Sequence, residues 1–278
     1  MSVAELCLGL PPAVMALMIE PLCVSALNLP PAQASAPVFL RVMQDALLGG
    51  TGSSDMLIPC VDQSSLFPDA AIQWLKQRGA EVVTGHYVED LSPYLSSPVV
   101  LACPPWEAAR LTHSINPAWS AQAAALQHPA IATVYVQAHA KVDWPYPVMA
   151  LRSNASAPAQ FAFDKAKLSG DTAMQGVIAM VVSASNGDRE QISQAVLAQA
   201  REQLGLQHAT VLIAVLEKRA AFACTPDVDR PSAQPGDQVV ACGDYVQGPY
   251  PSTLEAAVRS GIEAVALLKG LHMRENTA

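Results

Sequence analysis

Charge is scarce in this 278-residue chain: 14% of its residues are Asp, Glu, Lys or Arg, while 51% are apolar. That balance excludes a disordered polyelectrolyte and leaves material for a substantial core, as one large domain or two modest ones. A basic cluster is also missing. The formal net charge is −8, which argues against a nucleic-acid-binding surface. The six cysteines, Cys7, Cys23, Cys60, Cys103, Cys224 and Cys242, form no CxxC pair, and the six histidines form no HxH or HExxH pattern. Buried free thiols in a reducing compartment are therefore expected, and a metal site is not. No run reaches the roughly 20 apolar residues of a membrane span. The N-terminal "MSVAELCLGLPPAVMALMIEPLCVSALNLPP" lacks a basic leader, and Glu5, Glu20 and several prolines interrupt it, so it does not read as a signal peptide. A cytoplasmic protein is expected. Internal repeats and low-complexity tracts are absent.

Periodic segments fill most of the chain. Val14 to Leu27 reads as a helix closed by "NLPP", and "SAPVFLRVMQDALLGG" as another, stopped by Gly49-Gly50. "DMLIPC" reads as a strand, and "SSLFPDAAIQWLKQRG" as a helix with Ser64 or Ser65 near its cap and Gly79 at its end. "AEVVTGHYVEDL" reads as a bent strand or strand pair, so Met56 to Leu91 is expected to be a strand–helix–strand unit. "SPVVLACPPWEAARLT" repeats the theme, with a strand apolar on both faces and hence central. From His113 to about Cys224 the texture changes. "ATVYVQAHA", "GVIAMVVSAS" and "ATVLIAVLEKRAAFAC" are β-rich and are joined by one helix, "DREQISQAVLAQAREQLG". An antiparallel sheet with a helix against it is expected there. The C-terminus returns to strand–loop–helix.

That C-terminal stretch, "VVACGDYVQGPYPSTLEAAVRSGIEAV", brings a glycine, a carboxylate and a helix start together. A helix N-terminus suits pyrophosphate or a polarised carbonyl. A glycine admits close backbone approach, and an aspartate accepts hydrogen bonds from polyol hydroxyls. Spacing alone favours a plain strand–turn–helix corner with Asp244 as an ordinary turn residue. The segment resembles the C-terminal flavin motif of the amine oxidase and phytoene desaturase superfamily, in which Gly-Asp or Gly-Glu precedes a loop and then "TxEGAxxSG". With "EPLCVSALNLPPAQASAPVFLRVMQDAL", "LFPDAAIQWLKQRGAEV", "VVLACPPWEAARL" and "EKRAAFACTPDVDRP" in the same order, the chain is similar to the hydroxysqualene dehydroxylases, or squalene-associated FAD-dependent desaturases, over nearly its whole length.

The resemblance implies a mixed fold, α/β plus α+β. A partial FAD-binding, glutathione-reductase-like layer would be interleaved with a substrate domain of mixed β-sheet and helices. The expected divisions are 1–55 (helical part of the substrate domain), 56–112 (partial FAD-binding layer), 113–235 (β-rich substrate domain) and 236–278 (C-terminal FAD-binding strand, loop and helix). Gly243 and Asp244 would meet the pyrophosphate–ribityl part of FAD. The backbone of Thr253 and Leu254 would face the flavin pyrimidine, and Val88 would touch the adenine or else serve as a core valine. The implied reaction is reductive loss of a hydroxyl from a long apolar isoprenoid, giving squalene, with peripheral contact to the inner membrane. The catalytic acid has no clear sequence signature; Glu217, Arg219 and Tyr250 are candidates. Asp62 and Asp69 read as helix caps.

The pattern departs from the family in three places. The strand–GxGxxG–acid unit that cradles ADP is missing, because "GGTGSSD" follows a helix and precedes a strand, the reverse of the required context. Val88 and Val99 are close in sequence where relatives insert strands, and Ala256 stands where the motif has glycine. A truncated or split form is therefore expected, with a separate N-terminal dinucleotide-binding chain as a partner. The rival readings are a non-catalytic remnant or partner subunit without flavin, a flavin amine oxidase, and a carotenoid-type desaturase. An aromatic at the position of Thr253 would favour the amine oxidase and is absent.

Overall fold

The computed structural model describes residues 1–139 and 142–275. In chain order, α1 (Val3–Leu6) is followed by α2 (Pro12–Val14), which continues through a π-helical stretch, Met15–Ile19, into α3 (Glu20–Leu27). Next come α4 (Ala36–Leu47), α5 (Gln63–Leu66), α6 (Pro68–Gln77), β1 (Val99–Leu101), α7 (Pro105–Thr112) and α8 (Pro117–Ala124). The middle holds β2 (Ala130–Gln137), β3 (Val148–Ala150), β4 (Phe161–Asp164), α9 (Lys165–Ser169), β5 (Val177–Ser185), α10 (Arg189–Leu204) and β6 (Thr210–Glu217). The chain closes with β7 (Val239–Ala241) and α11 (Leu254–Glu275).

Two compact units result. The first comprises Met1–Ser53, Val88–Pro129 and Arg219–Ala278. Its core gathers Cys23, Leu27, Phe39, Leu101, Trp119, Phe222 and Val239 from helices and strands far apart in sequence. The ends of its helices follow local chemistry. Ser2 and Glu5 form a reciprocal capping box on α1, Asn28 closes α3 in the left-handed conformation at φ 53°, and prolines open α4 and α7. Strands β1 and β7 pair in parallel, Val99 with Val239 and Leu101 with Ala241. Each is followed by a turn and a helix, so the N-termini of α7 and α11 come after neighbouring strand ends.

The second unit comprises Ser54–Tyr87 and Ala130–Lys218. Its sheet has the order β3-β4-β5-β2-β6 and is antiparallel throughout. Ile192, Val196 and Ala200 of α10 share a buried core with Val134, Val136, Ile178 and Met180. Alternation places Thr133 and Tyr135 of β2 on the other face, in register with Val215 and Ile213 of β6 and with Val181 and Ala179 of β5.

Several expectations are corrected. Neither "DMLIPC" nor "AEVVTGHYVEDL" forms a strand. Met56, Leu57 and Val83 are exposed, and an apolar run without a partner ladder has nothing to pair with. The expected unit at 56–91 therefore reduces to α5 and α6, capped by Asp62, which accepts from the Ser65 N–H at 3.0 Å. Strand β1 is not central among the described residues; β7 is its partner, and Val100 is 42% exposed. By its contacts the chain divides into two units, with 54–87 grouped with 130–218. Cys60 is exposed, unlike the buried Cys7, Cys23, Cys224 and Cys242. The last residue of the 132–140 run and residues 276–278 lie outside the described residues.

Candidate functional site

The corner after β7 is built from five interlocking contacts. All three residues of β7 are buried. At its end, the Gly243 N–H donates to Ser260 Oγ at 2.8 Å, and Ser260 Oγ in turn donates to the Ala257 carbonyl at 2.8 Å. Strand end and helix are thereby joined through one hydroxyl. A Cβ on Gly243 would sit 2.6 Å from the Tyr245 ring, so this residue is glycine because an internal aromatic lies against it. Thr253 caps α11, its Oγ1 accepting from the Ala256 N–H at 3.2 Å. The Asp244 carboxylate accepts the Ser252 hydroxyl through Oδ2.

Beneath this corner lies Arg230, 8% exposed. Its guanidinium donates to the carbonyls of Asp244 (2.6 Å), Tyr245 (3.3 Å), Gly248 (2.7 Å), Tyr250 (2.8 Å) and Val246. The group also stacks 4.7 Å from the centroid of the Phe222 ring. Burial pulls the Arg230 pKa down, and Cys224 and Asp244 oppose that shift.

A cavity of about 280 Å³ opens within the first unit, lined by Cys103 to Trp106, His128, Arg219 to Phe222, Cys242 to Tyr245, and Ala257. Its wall is layered: the Arg219 guanidinium lies 4.6 Å from the Trp106 centroid, and the Trp106 ring meets His128 edge-on at 5.3 Å. Burial, then the nearby Arg219 charge, lower the His128 pKa against an opposing hydrogen bond at Leu126, so the ring is held towards its neutral form. Burial raises the Cys103 thiol. The Tyr245 hydroxyl is buried and has no hydrogen-bond partner among the described residues, and burial pushes its pKa upward. A buried hydroxyl without a protein partner is an exception in folded proteins.

Of the residues expected at the site, Gly243, Asp244 and Arg219 line this cavity. Thr253 is a helix cap and Leu254 is exposed; neither lines it. The Tyr250 hydroxyl accepts from Arg41 Nη2 at 2.6 Å, and both Arg41 and Arg259 lie over its ring. Val88 packs on the core of the first unit, and its carbonyl accepts from Arg110 Nη2 at 2.8 Å. Glu217 ends β6 in the second unit, whereas Arg219 belongs to the first and lies beyond the strand. Arg230, Tyr245, Ser260 and Trp106 had no distinguishing signal beyond their place in the quoted blocks, and His128 lies outside those blocks. Among the described residues, no group of three or more His, Cys, Asp or Glu is arranged to hold a metal. No helix among them is long and apolar enough to cross a membrane. A larger cavity, about 690 Å³, lies in the second unit and contains none of the expected site residues.

Comparison with known proteins bears on this corner directly. The family described as flavin containing amine oxidoreductase matches residues 72–269. A hydroxysqualene dehydroxylase of Rhodopseudomonas palustris is 27% identical over 291 residues, covering 90% of this chain and 62% of its own length. That of Sinorhizobium fredii is 24% identical over 277 residues, covering 90% and 61%. The chain thus spans about three fifths of the curated relatives it matches. Among solved structures, an oxidoreductase from Methanosarcina mazei superposes with a TM-score of 0.65 at 13% identity, covering 95% of this chain and 68% of the other. That likeness concerns the fold.

Proposed function

This chain belongs to the family of flavin-containing amine oxidoreductases, and from that membership we propose that it is the substrate-domain and C-terminal flavin-facing part of an FAD-dependent oxidoreductase acting on a long apolar isoprenoid. The reaction favoured by its relatives' names is reductive dehydroxylation of hydroxysqualene to squalene. In it a C–O bond breaks, a C–H bond forms from hydride, and the hydroxyl leaves as water after taking a proton. When bound, the flavin supplies the hydride.

One observation carries the reading: Gly243, Asp244 and Tyr245 line one cavity at the end of a parallel strand. Ligands in α/β layers bind at that place. The residues fit part of a flavin dinucleotide. The Asp244 carboxylate offers an acceptor for polyol hydroxyls. At about 280 Å³ the cavity is at the small end of the roughly 300–1,000 Å³ typical of ligand pockets, so it would hold part of the cofactor. The start of α11 at Thr253 and Leu254 would take the pyrimidine end, and Val88 the adenine side. The ADP half needs a strand–GxGxxG unit; residues 1–278 hold none, and a separate dinucleotide-binding chain is one source of it.

Of the three candidate acids, Arg219 is the one in the cavity wall, where its charge would polarise the departing hydroxyl. Apolar side chains on the outer face of the second unit's sheet, Ile213 and Val215, are 57% and 48% exposed and would suit an isoprenoid or the membrane surface that carries it.

The test is to express the chain, add FAD alone and then with a GxGxxG-bearing chain, and record the flavin band near ~450 nm. Retained colour after gel filtration, and squalene formed from hydroxysqualene with a reductant, are expected. Colourless protein under both conditions overturns the flavin reading. Colour without squalene overturns the substrate and leaves the flavin reading intact.

A further inference from the structure

We propose that Arg230 is the positioning residue of this site: its guanidinium gathers the loop between β7 and α11 by its carbonyls and so fixes where the Asp244 carboxylate points. The inference rests on the reading that Gly243 and Asp244 face a flavin dinucleotide.

The geometry is unusual in its accounting of donors. Arginine has five N–H donors in a rigid fork. Here five carbonyls, those of residues 244, 245, 246, 248 and 250, receive them. No carboxylate pairs with the group among the described residues. A buried, acid-free guanidinium is costly unless each of its donors is satisfied, and carbonyl dipoles from one loop do that work here. Three successive carbonyls, 244 to 246, turn to the same side, a course an extended strand does not take, because its carbonyls alternate. Arg230 therefore imposes a loop shape that the neighbouring elements do not.

Its own backbone is fixed as well. Gln122 Nε2 donates to the Arg230 carbonyl at 3.3 Å, and the Gln247 N–H reaches the Pro231 carbonyl at 2.9 Å. Arg230 holds Asp244 by its carbonyl, not its carboxylate, which leaves the carboxylate to Ser252 and to the cavity. Lysine has a single, flexible ammonium and cannot span five acceptors.

The experiment uses the full chain with R230K and R230M. Without flavin, hydrogen exchange is followed at residues 243–253, at the core strand 99–101, and at residues 177–185 of the second unit. Exchange in 243–253 should accelerate by about tenfold or more in R230M and less in R230K, with the other two segments unchanged. On titration with FAD, the apparent Kd should weaken by about tenfold or more in R230M, and the visible band of the flavin bound to R230K should differ in shape from that of the parent. Unchanged exchange in 243–253 overturns the proposal. So does an equal rise at 99–101, and so does loss of the fold in both variants, since each marks a general structural role. If the parent chain binds no FAD even with the GxGxxG-bearing chain present, the flavin reading fails, and the exchange arm alone still decides whether Arg230 holds the loop.

Discussion

Gly243 shows how one residue can be noticed for one reason and required for another. In the sequence it suggests close approach of a ligand; in the fold its missing side chain makes room for the Tyr245 ring, which is 1% exposed. Gly243→Ala should therefore destabilise the first unit by about 1–3 kcal/mol through overpacking, read as a lower urea midpoint. Adding Tyr245→Leu should recover part of the loss, and additive effects would contradict the contact. Thiols make a second residue-scale case. Burial raises Cys23 to about 12 and Cys224 to about 11, so both stay protonated and unreactive near neutral pH. Cys60 is exposed. A disulfide reagent at pH 8 should modify one thiol rapidly, Cys60→Ser should remove that phase, and the buried thiols should react after unfolding. Arg230 marks the limit of legibility at this scale: a lone arginine in "CTPDVDRP" carries no pattern, and its five acceptors exist only once the loop has folded.

Elements were legible where a local period coincided with a partner. β2, β5, β6 and α10 each show alternation or capping, and each found a neighbour. Asp188 caps α10 by accepting from the Gln191 N–H, and Gly205 closes it at φ 70°. β3 and β4 are short and flanked by prolines, so their ladder is visible only in three dimensions. "DMLIPC" carried the composition of a strand without a ladder to join. How α10 holds the approach to β4 was hidden as well. Gln199, 1% exposed, accepts from the Ala159 N–H at 2.8 Å and donates to the Ala159 carbonyl at 2.8 Å, completing a backbone pair as a strand would. Gln203 does the same for Arg152 one turn on. Gln199→Leu should leave a buried N–H and carbonyl unpaired and cost about 2–4 kcal/mol, measured by urea unfolding of the second unit. A loss below about 0.5 kcal/mol would mean that the loop finds other partners.

At the scale of the whole molecule, the chain interleaves two units in sequence while keeping their cores separate: 54–87 and 130–218 form one, and the remainder forms the other. The sequence registers this as a change of texture, whereas a border is set by which residues share a core, and composition reports that poorly. The residues proposed to face the flavin at Gly243 and Asp244, and at the helix start, all belong to the first unit. A ligand that binds the folded form alone stabilises what it binds by RT ln(1 + [L]/Kd), about 2.7 kcal/mol at a hundred times Kd. FAD at that excess should slow amide exchange by about 100-fold at 239–241 and 254–264, wherever exchange proceeds through opening of the first unit. The sheet core at 134–136 and 178–182 should exchange at its former rate. Protection confined to the second unit would place the ligand in its larger cavity, and the corner formed by Gly243, Asp244 and the start of α11 would then need another purpose.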